Sequence, residues 1–300
     1  MTSEPIPAAA AGIWKLGDLT VNRIGFGAMR LTGSAPFDRG TPRDRQQSIS
    51  VLRRAVELGV NHIDTAAFYF SQLRSANELI NSALSPYPDD LVIVTKVGPA
   101  RGPSGEWQTP ARPEQLRGQV EEDLRQLGRD HLDVVNLRLI GDRPVDELFG
   151  ALAELRDAGL IRHLGVSGVT LGQIAQAQAI APVVCVQNRY GIGQRDASGD
   201  DVVAACGERG IAFVPYFAIA GPGRERGPAE TEPGEVLAVA RAHDAAPAQV
   251  RLAWSLHLGP HVLAIPGTGD PVHLAENVAA GALRLSPDDM ARLNSAGQEP

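Results

Sequence analysis

An α/β fold of eight parallel βα units closed into a (β/α)8, or TIM, barrel is what this sequence predicts, and three features predict it. Short apolar runs of strand length alternate with stretches of helical apolar spacing from about residue 22 to residue 265. Eight such runs fit a closed barrel better than an open sheet, which more often has five to seven strands. No linker or shift in composition divides the chain. A single domain is therefore expected over 13–300, after a flexible N-terminal leader at 1–12.

The elements follow in order. Weak alternation around Gly17-Asp18 marks a small hairpin over 12–22, and N-R-I-G-F-G (22–27) reads as the first strand. Apolar residues at Ile49, Leu52, Ala55 and Val56 carry helical spacing over 44–58, which stops at Gly59. The remaining strands are expected at 62–64, 91–96, 133–138, 163–167, 183–188, 211–216 and 262–265. Helices between them are expected over 72–84, 112–127, 144–158, 171–180, 199–209, 235–243 and 247–258. Two extra C-terminal helices follow at 271–280 and 287–296. Gly/Pro-rich loops at 98–110 and 218–234 come after strands three and seven, on the face where such barrels hold their sites.

Composition narrows the function classes. A net charge of −7 argues against nucleic acid or an anionic membrane as a partner, and no apolar run approaches the ~20 residues of a membrane span. The first residues lack a basic region and a long apolar core, so a cytoplasmic protein is expected, with Cys185 and Cys206 as buried reduced thiols. No metal site is expected: His62 and Asp64 are assigned to opposite faces of their strand, and no other His or Cys spacing suggests zinc. Only two of the 28 basic residues are lysines, so Lys96 at a strand end suggests that a compact ammonium is wanted there.

Polar residues or glycines end nearly every expected strand: Gly27, Asp64, Lys96, Arg138, Ser167, Gln187 with Asn188, and Tyr216. In a TIM barrel these ends converge on one mouth, where the active site lies. An Asp, a Lys and an Arg beside a packed interior need partners. Lys96 paired with Asp64 would place a charged ammonium near Tyr69, favour its phenolate and lower its pKa from about 10. Tyr69 could then donate a proton near neutral pH, which suits reduction of a carbonyl to an alcohol. The hydride must come from elsewhere, so a nicotinamide cofactor is implied. The run G-F-G-A-M-R has Arg30 at the third glycine position of a dinucleotide fingerprint and is a weak match to it. The run G-P-G-R-E-R-G (221–227) reads equally as a pyrophosphate contact at Gly221, with Arg224 or Arg226 nearby, or as a solvated loop.

These residues belong to a longer ordered set. The runs G-F-G-A-M, H-I-D-T-A-x-x-Y, V-T-K, D-V-V-N-L-R, G-V-S, V-Q-N and I-P-G-T-x-x-x-x-H-L-x-E-N resemble the aldo-keto reductases over about residues 14 to 297. The resemblance implies a TIM barrel that binds extended NADPH, with NADH as the alternate cofactor. It implies Tyr69 as general acid tuned by Asp64 and Lys96. Ser167 and Gln187, helped by Asn188, would hold the carboxamide, and Tyr216 would stack on the nicotinamide. The segment from Pro266 and Gly267 to Asn277 would hold the adenosine end, with Thr268, Glu276 and Asn277 in contact. Arg138 stands where the family usually has a histidine, and N-L-R is similar to the bacterial pyridoxal reductase-like branch. Phe70, Gly168 and Ala218-Ile219-Ala220 depart from the pattern around the pocket, and His273 replaces an arginine for the 2′-phosphate.

The expected activity is NAD(P)H-dependent reduction of an aldehyde or ketone, with pyridoxal or a specialised-metabolite carbonyl as substrate. A monomer or weak homo-oligomer is expected. Two alternatives are a lyase forming a Schiff base on Lys96 and a catalytically weak NADP(H)-sensing protein.

Overall fold

The computed structural model describes residues 4–33, 43–71, 73–102, 106, 111–141, 143–219 and 232–296. Gly221, Arg224 and Arg226, named above as cofactor contacts, lie outside the described residues. Strands β1 (Ile13–Leu16) and β2 (Leu19–Asn22) form the antiparallel hairpin around Gly17. A parallel sheet then runs in chain order through β3 (Phe26–Gly27), β4 (His62–Asp64), β5 (Val92–Val97), β6 (Leu132–Arg138), β7 (Ile161–Ser167), β8 (Val183–Gln187) and β9 (Ala212–Phe213). Residues 262–265 close the ring. Leu263 N donates to Phe213 O at 2.9 Å on one side, and Ala264 N donates to Arg23 O at 2.8 Å on the other.

Three expected strands are shorter than their apolar runs. Asn22 belongs to the hairpin, so β3 keeps only two paired residues. Pro215 has no N–H to give the ladder, and Tyr216 beyond it pairs singly, its N–H reaching Asn188 O. The closing segment makes one bridge to each neighbour, Ile24–Ala264 and Phe213–Val262. At this seam the backbones approach closely. A Cβ on Gly27 would stand 2.6 Å from Ile265 O, and one on Gly267 would stand 2.4 Å from Gly27 O. The glycine of G-F-G thus serves barrel closure.

Helices α1 (Arg45–Glu57), α2 (Ala76–Leu84), α3 (Pro113–Leu127), α4 (Asp146–Asp157), α5 (Leu171–Ile180), α6 (Ala197–Glu208), α7 (Gly234–Ala242) and α8 (Pro247–His257) pack outside the sheet. Helices α9 (Pro271–Ala279) and α10 (Pro287–Ser295) follow. Their ends are set by local chemistry. Asp44 caps α1, Thr170 and Gln173 form a reciprocal cap on α5, and Gly128 ends α3 in the left-handed region. Helix α2 starts at Ala76, four residues later than expected, because Ser71 and Arg74 close a turn first: Ser71 N donates to Arg74 O at 2.7 Å.

Two apolar layers result. The larger lies between sheet and helices. The smaller fills the barrel with Val92, Val94, Val134, Cys185, Ala212, Val214 and Leu263, against Leu16 and Val21 of the hairpin. The hairpin docks where β7 begins, through Asp18 to Arg162 and His163, both 2.5 Å. The leader is corrected in part: Ala8–Ala11 form a 3-10 turn, with Ala8 fully buried and its N–H on Leu58 O at 2.8 Å. The placement of His62 and Asp64 on opposite faces is also wrong. Alternate strand residues share a face, and both line the barrel interior. Burial pushes the His62 imidazole down to about 4, so it is neutral at pH 7. Among the described residues, no helix is long and apolar enough to cross a membrane.

Candidate active site

Strand register gathers the polar strand ends. Gly27 pairs with Asp64, Lys96 with Asn136, Arg138 with Ser167, and Ser167 with Gln187. Inside this ring Lys96 Nζ donates to Asp64 Oδ1 at 2.6 Å and to the Thr65 carbonyl at 2.8 Å. Gln187 Nε2 donates to the other Asp64 oxygen at 3.1 Å. Lys96 and Asp64 are 4% and 3% exposed, so the pair is desolvated. Burial raises the Asp64 pKa, and the charge and hydrogen bond of Lys96 oppose that rise. Burial would lower Lys96, but the Asp64 charge and Tyr69 outweigh it and hold the ammonium above its ordinary value. The 2.6 Å ammonium–carboxylate contact makes the pair an ion pair.

Tyr69 sits on the loop after β4, with its N–H on Ala66 O at 3.0 Å and its carbonyl accepting from Ala76 N at 2.9 Å. Lys96 Nζ is 4.9 Å from its ring centre. The expected lowering of the phenol pKa is corrected. Burial raises it, with Asp64 adding to the rise, while Lys96 and Arg138 oppose it. The phenol therefore holds its proton at neutral pH, and the two cations face the charge that would form if the proton left.

Arg138 ties the next group together. Its Nη1 donates to Tyr216 Oη at 3.0 Å and to Ser167 Oγ at 3.2 Å. Gly168 makes room for this pose: a Cβ there would stand 2.6 Å from Arg138 Nη1, and φ is +71°. Asn188, expected beside the cofactor, gives its side chain to the turn instead. Its Oδ1 accepts from Gly168 N and Val169 N at 2.9 and 3.0 Å, and its Nδ2 donates to Val169 O. Gln187 is fully buried, with its amide on Asp64 and Asn136.

The segment from Pro266 to Asn277 runs from the barrel seam into α9. Pro266 O accepts from Gly27 N at 3.1 Å, Thr268 Oγ accepts from Asp270 N at 3.0 Å, and Asp270 caps the helix. His273 and Glu276 are exposed and Asn277 is buried. Arg43 also reaches this segment, with Cζ 2.1 Å from where a Cβ on Gly269 would stand.

Comparison with known proteins gives the family. The model of the aldo/keto reductase family matches residues 23–298, nearly the whole chain. The chain belongs to the aldo-keto reductase family. It is 42% identical to pyridoxine 4-dehydrogenase of Escherichia coli over 297 residues, covering 97% of this chain and all of that protein. An uncharacterised oxidoreductase of Schizosaccharomyces pombe is 38% identical, with 99% and 93% covered. Among solved structures, an aldo-keto reductase from Klebsiella pneumoniae in complex with NADP and acetate superposes with a TM-score of 0.74. It is 28% identical, with 94% of this chain and 93% of that one covered. The protein is thus an oxidoreductase of the aldo-keto reductase type.

The sequence reading singled out neither Arg43, beside the 266–277 segment, nor Asp123, behind the barrel wall on α3. Arg43 precedes α1 as one of many arginines, and nothing in its spacing tied it to a segment more than two hundred residues later. Asp123 lies on α3, at a position that belongs by spacing to the apolar stripe of Leu116, Val120 and Leu127. A charged residue on that stripe was the available signal.

Proposed function

We propose that this aldo-keto reductase uses NADPH to reduce an aldehyde to a primary alcohol, with Tyr69 as the proton donor. The observation that carries the reading is the phenol of Tyr69 beside a buried Lys96–Asp64 ion pair at the mouth of the barrel. The residues present fit a nicotinamide dinucleotide. Tyr216 offers a partly exposed ring, Ser167 a hydroxyl at the same level, and Arg43 a guanidinium beside the Gly269 backbone. Arg43 supports NADPH over NADH, because it supplies a cation next to the segment where His273 replaces the family's arginine. NADPH, when bound, supplies the hydride.

The residues of the chain do the rest. Tyr69 keeps its proton at rest because burial raises its pKa. As negative charge builds on the carbonyl oxygen, Tyr69 Oη passes the proton to it. Lys96 stabilises the phenolate left behind, and Asp64 with the Thr65 carbonyl fixes the ammonium in place. Arg138 is permanently charged, so it can donate a hydrogen bond to the substrate but cannot relay a proton. Gln187 orients Asp64, and Asn188 shapes the turn that carries Gly168.

The substrate class follows from the most informative relative, whose name gives oxidation of pyridoxine at its 4-position. Its reverse is reduction of pyridoxal, an aromatic aldehyde, and we assign that type of substrate here. The Schiff-base reading loses support, since Lys96 is twice hydrogen-bonded, buried and held protonated. The test is titration of the protein with NADPH and with NADH, then addition of pyridoxal and a panel of aldehydes. Saturable binding and loss of the reduced-nicotinamide absorbance are expected. Tight binding with no turnover of any aldehyde would favour a nucleotide-sensing role.

A further inference from the structure

We propose that Asp123, outside the barrel on α3, is a positioning residue for the Asp64–Lys96 pair, acting through Thr65 and Thr95. The proposal rests on the catalytic reading of that pair given above.

Asp123 is 1% exposed on the face of α3 that also buries Leu116, Val120 and Leu127. An apolar residue there would pack without penalty, whereas a buried carboxyl needs partners. Its partners are neutral. Thr95 Oγ donates to Oδ2 at 2.7 Å, and Asn77 Nδ2 donates to Oδ1 at 2.8 Å. Asn77 in turn accepts from Thr65 Oγ at 2.7 Å. Thr65 and Thr95 are fully buried and Asn77 is 1% exposed. The chain of contacts thus runs Thr95–Asp123–Asn77–Thr65 and joins β5, α3, α2 and the end of β4.

Thr65 and Thr95 are the chain neighbours of Asp64 and Lys96. Side chains alternate along a strand, so Lys96 faces the interior while Thr95 faces the helices. The same alternation at the end of β4 turns Asp64 inward and Thr65 outward. Each member of the ion pair is therefore anchored from behind by its neighbour, and both anchors lead to Asp123. Thr65 has a second duty, since its carbonyl accepts from Lys96 Nζ at 2.8 Å. A rotation of Thr65 would remove that acceptor and let the ammonium swing.

The carboxylate form suits the network, because both carboxyl oxygens accept. Burial pushes Asp123 up to about 7. Its hydrogen bonds from Thr95 and Asn77 oppose that rise, Glu122 on its own helix adds to it, and Lys96 across the sheet opposes it. Protonation turns one acceptor into a donor and loosens the hold on Thr95 or Asn77.

The test compares the full-length protein with Asp123→Asn, Thr95→Val and Thr95→Ser. In the wild type, kcat for aldehyde reduction should fall as pH drops through about 7. In Asp123→Asn that step should vanish and kcat should drop roughly tenfold, the loss of about one buried hydrogen bond. NADPH affinity should not change. Thr95→Val should lower kcat similarly and Thr95→Ser should restore it, so one misfolded variant does not decide the matter. The ammonium resonance of Lys96, assigned by its loss in Lys96→Met, gives a readout without substrate. Its exchange with water should speed up in Asp123→Asn. Unchanged kcat, an unchanged pH step or unchanged exchange in folded Asp123→Asn overturns the proposal. Absence of wild-type turnover with altered Lys96 exchange would instead sink the reductase reading and leave the positioning role standing.

Discussion

Replacing Lys96 by methionine should cost the protein about 3–5 kcal/mol of stability, because it leaves the Asp64 carboxylate buried without its cation. The contact is 2.6 Å between side chains 4% and 5% exposed. At an effective dielectric of about 20, two unit charges at that separation attract by about 6 kcal/mol. Desolvation of the ammonium, which methionine no longer needs, offsets part of this. The bond from Gln187 to Asp64 survives and limits the damage. Urea unfolding of the wild type, Lys96→Met, Asp64→Asn and the double variant would measure it. The double variant should recover to within about 2 kcal/mol of the wild type, since no charge is left stranded. Burial already raises Asp64, and losing Lys96 raises it further. A carboxyl raised above its unfolded value is most stabilising at low pH and loses that contribution as pH rises through its folded pKa. The penalty should therefore be smaller at pH 5 than at pH 8. A loss below about 1 kcal/mol at pH 8, or one independent of pH, would show that the pair is solvated and that Asp64 is not stranded without Lys96.

Further outcomes are expected. Tyr69→Phe should abolish carbonyl reduction while leaving NADPH binding nearly unchanged, measured by turnover and by fluorescence titration. Arg43→Ala should raise the KM for NADPH roughly tenfold and leave that for NADH nearly unchanged, as expected for one charge-assisted contact worth about 1.5–3 kcal/mol. Asp123, raised from 3.8 to about 7, should make the protein less stable as pH rises from about 4 to 7, by up to about 4 kcal/mol. Asp123→Asn should remove that slope in chemical unfolding followed across the same window. Gly168→Ala should push Arg138 off Ser167 and Tyr216, since its Cβ would stand 2.6 Å from Nη1, and should change KM for the aldehyde more than affinity for NADPH.

Most of the barrel was legible because each element carries its own signal. Helix α5 and strand β4 fall at the expected residues, with a capping Thr170 and an apolar run to mark them. The failures have a common cause, which is that ladder pairing depends on neighbours distant in sequence. The runs at 22–27, 211–216 and 262–265 all have strand composition, but each meets a partner at the seam that pairs only part of it. The leader was misjudged for the same reason. Nothing in A-A-A-A announces that Ala8 will be covered and its N–H taken by Leu58.

The candidate site was legible where chemistry sits at strand ends and illegible where one polar group supports another. Asp64, Lys96 and Arg138 stand out because charge beside a barrel core requires a partner. The direction of the Tyr69 shift could not be read, since it depends on whether burial and Asp64 outweigh Lys96 and Arg138. That correction suits the proposed role, because a general acid must hold its proton until the carbonyl takes it, and a phenol lowered far below its ordinary pKa would have lost it. The division of labour also explains the sequence around the pair. D-T and T-K each set a charged residue beside a threonine, so one strand end supplies an inward charge and an outward anchor at once. The anchors meet at a carboxyl on α3, and Asp123 differs from a packing residue only in that it can report its state through pH. If the pH step of kcat disappears in Asp123→Asn with Asp64, Tyr69 and Lys96 all intact, the titrating group lies behind the barrel wall and not in the mouth.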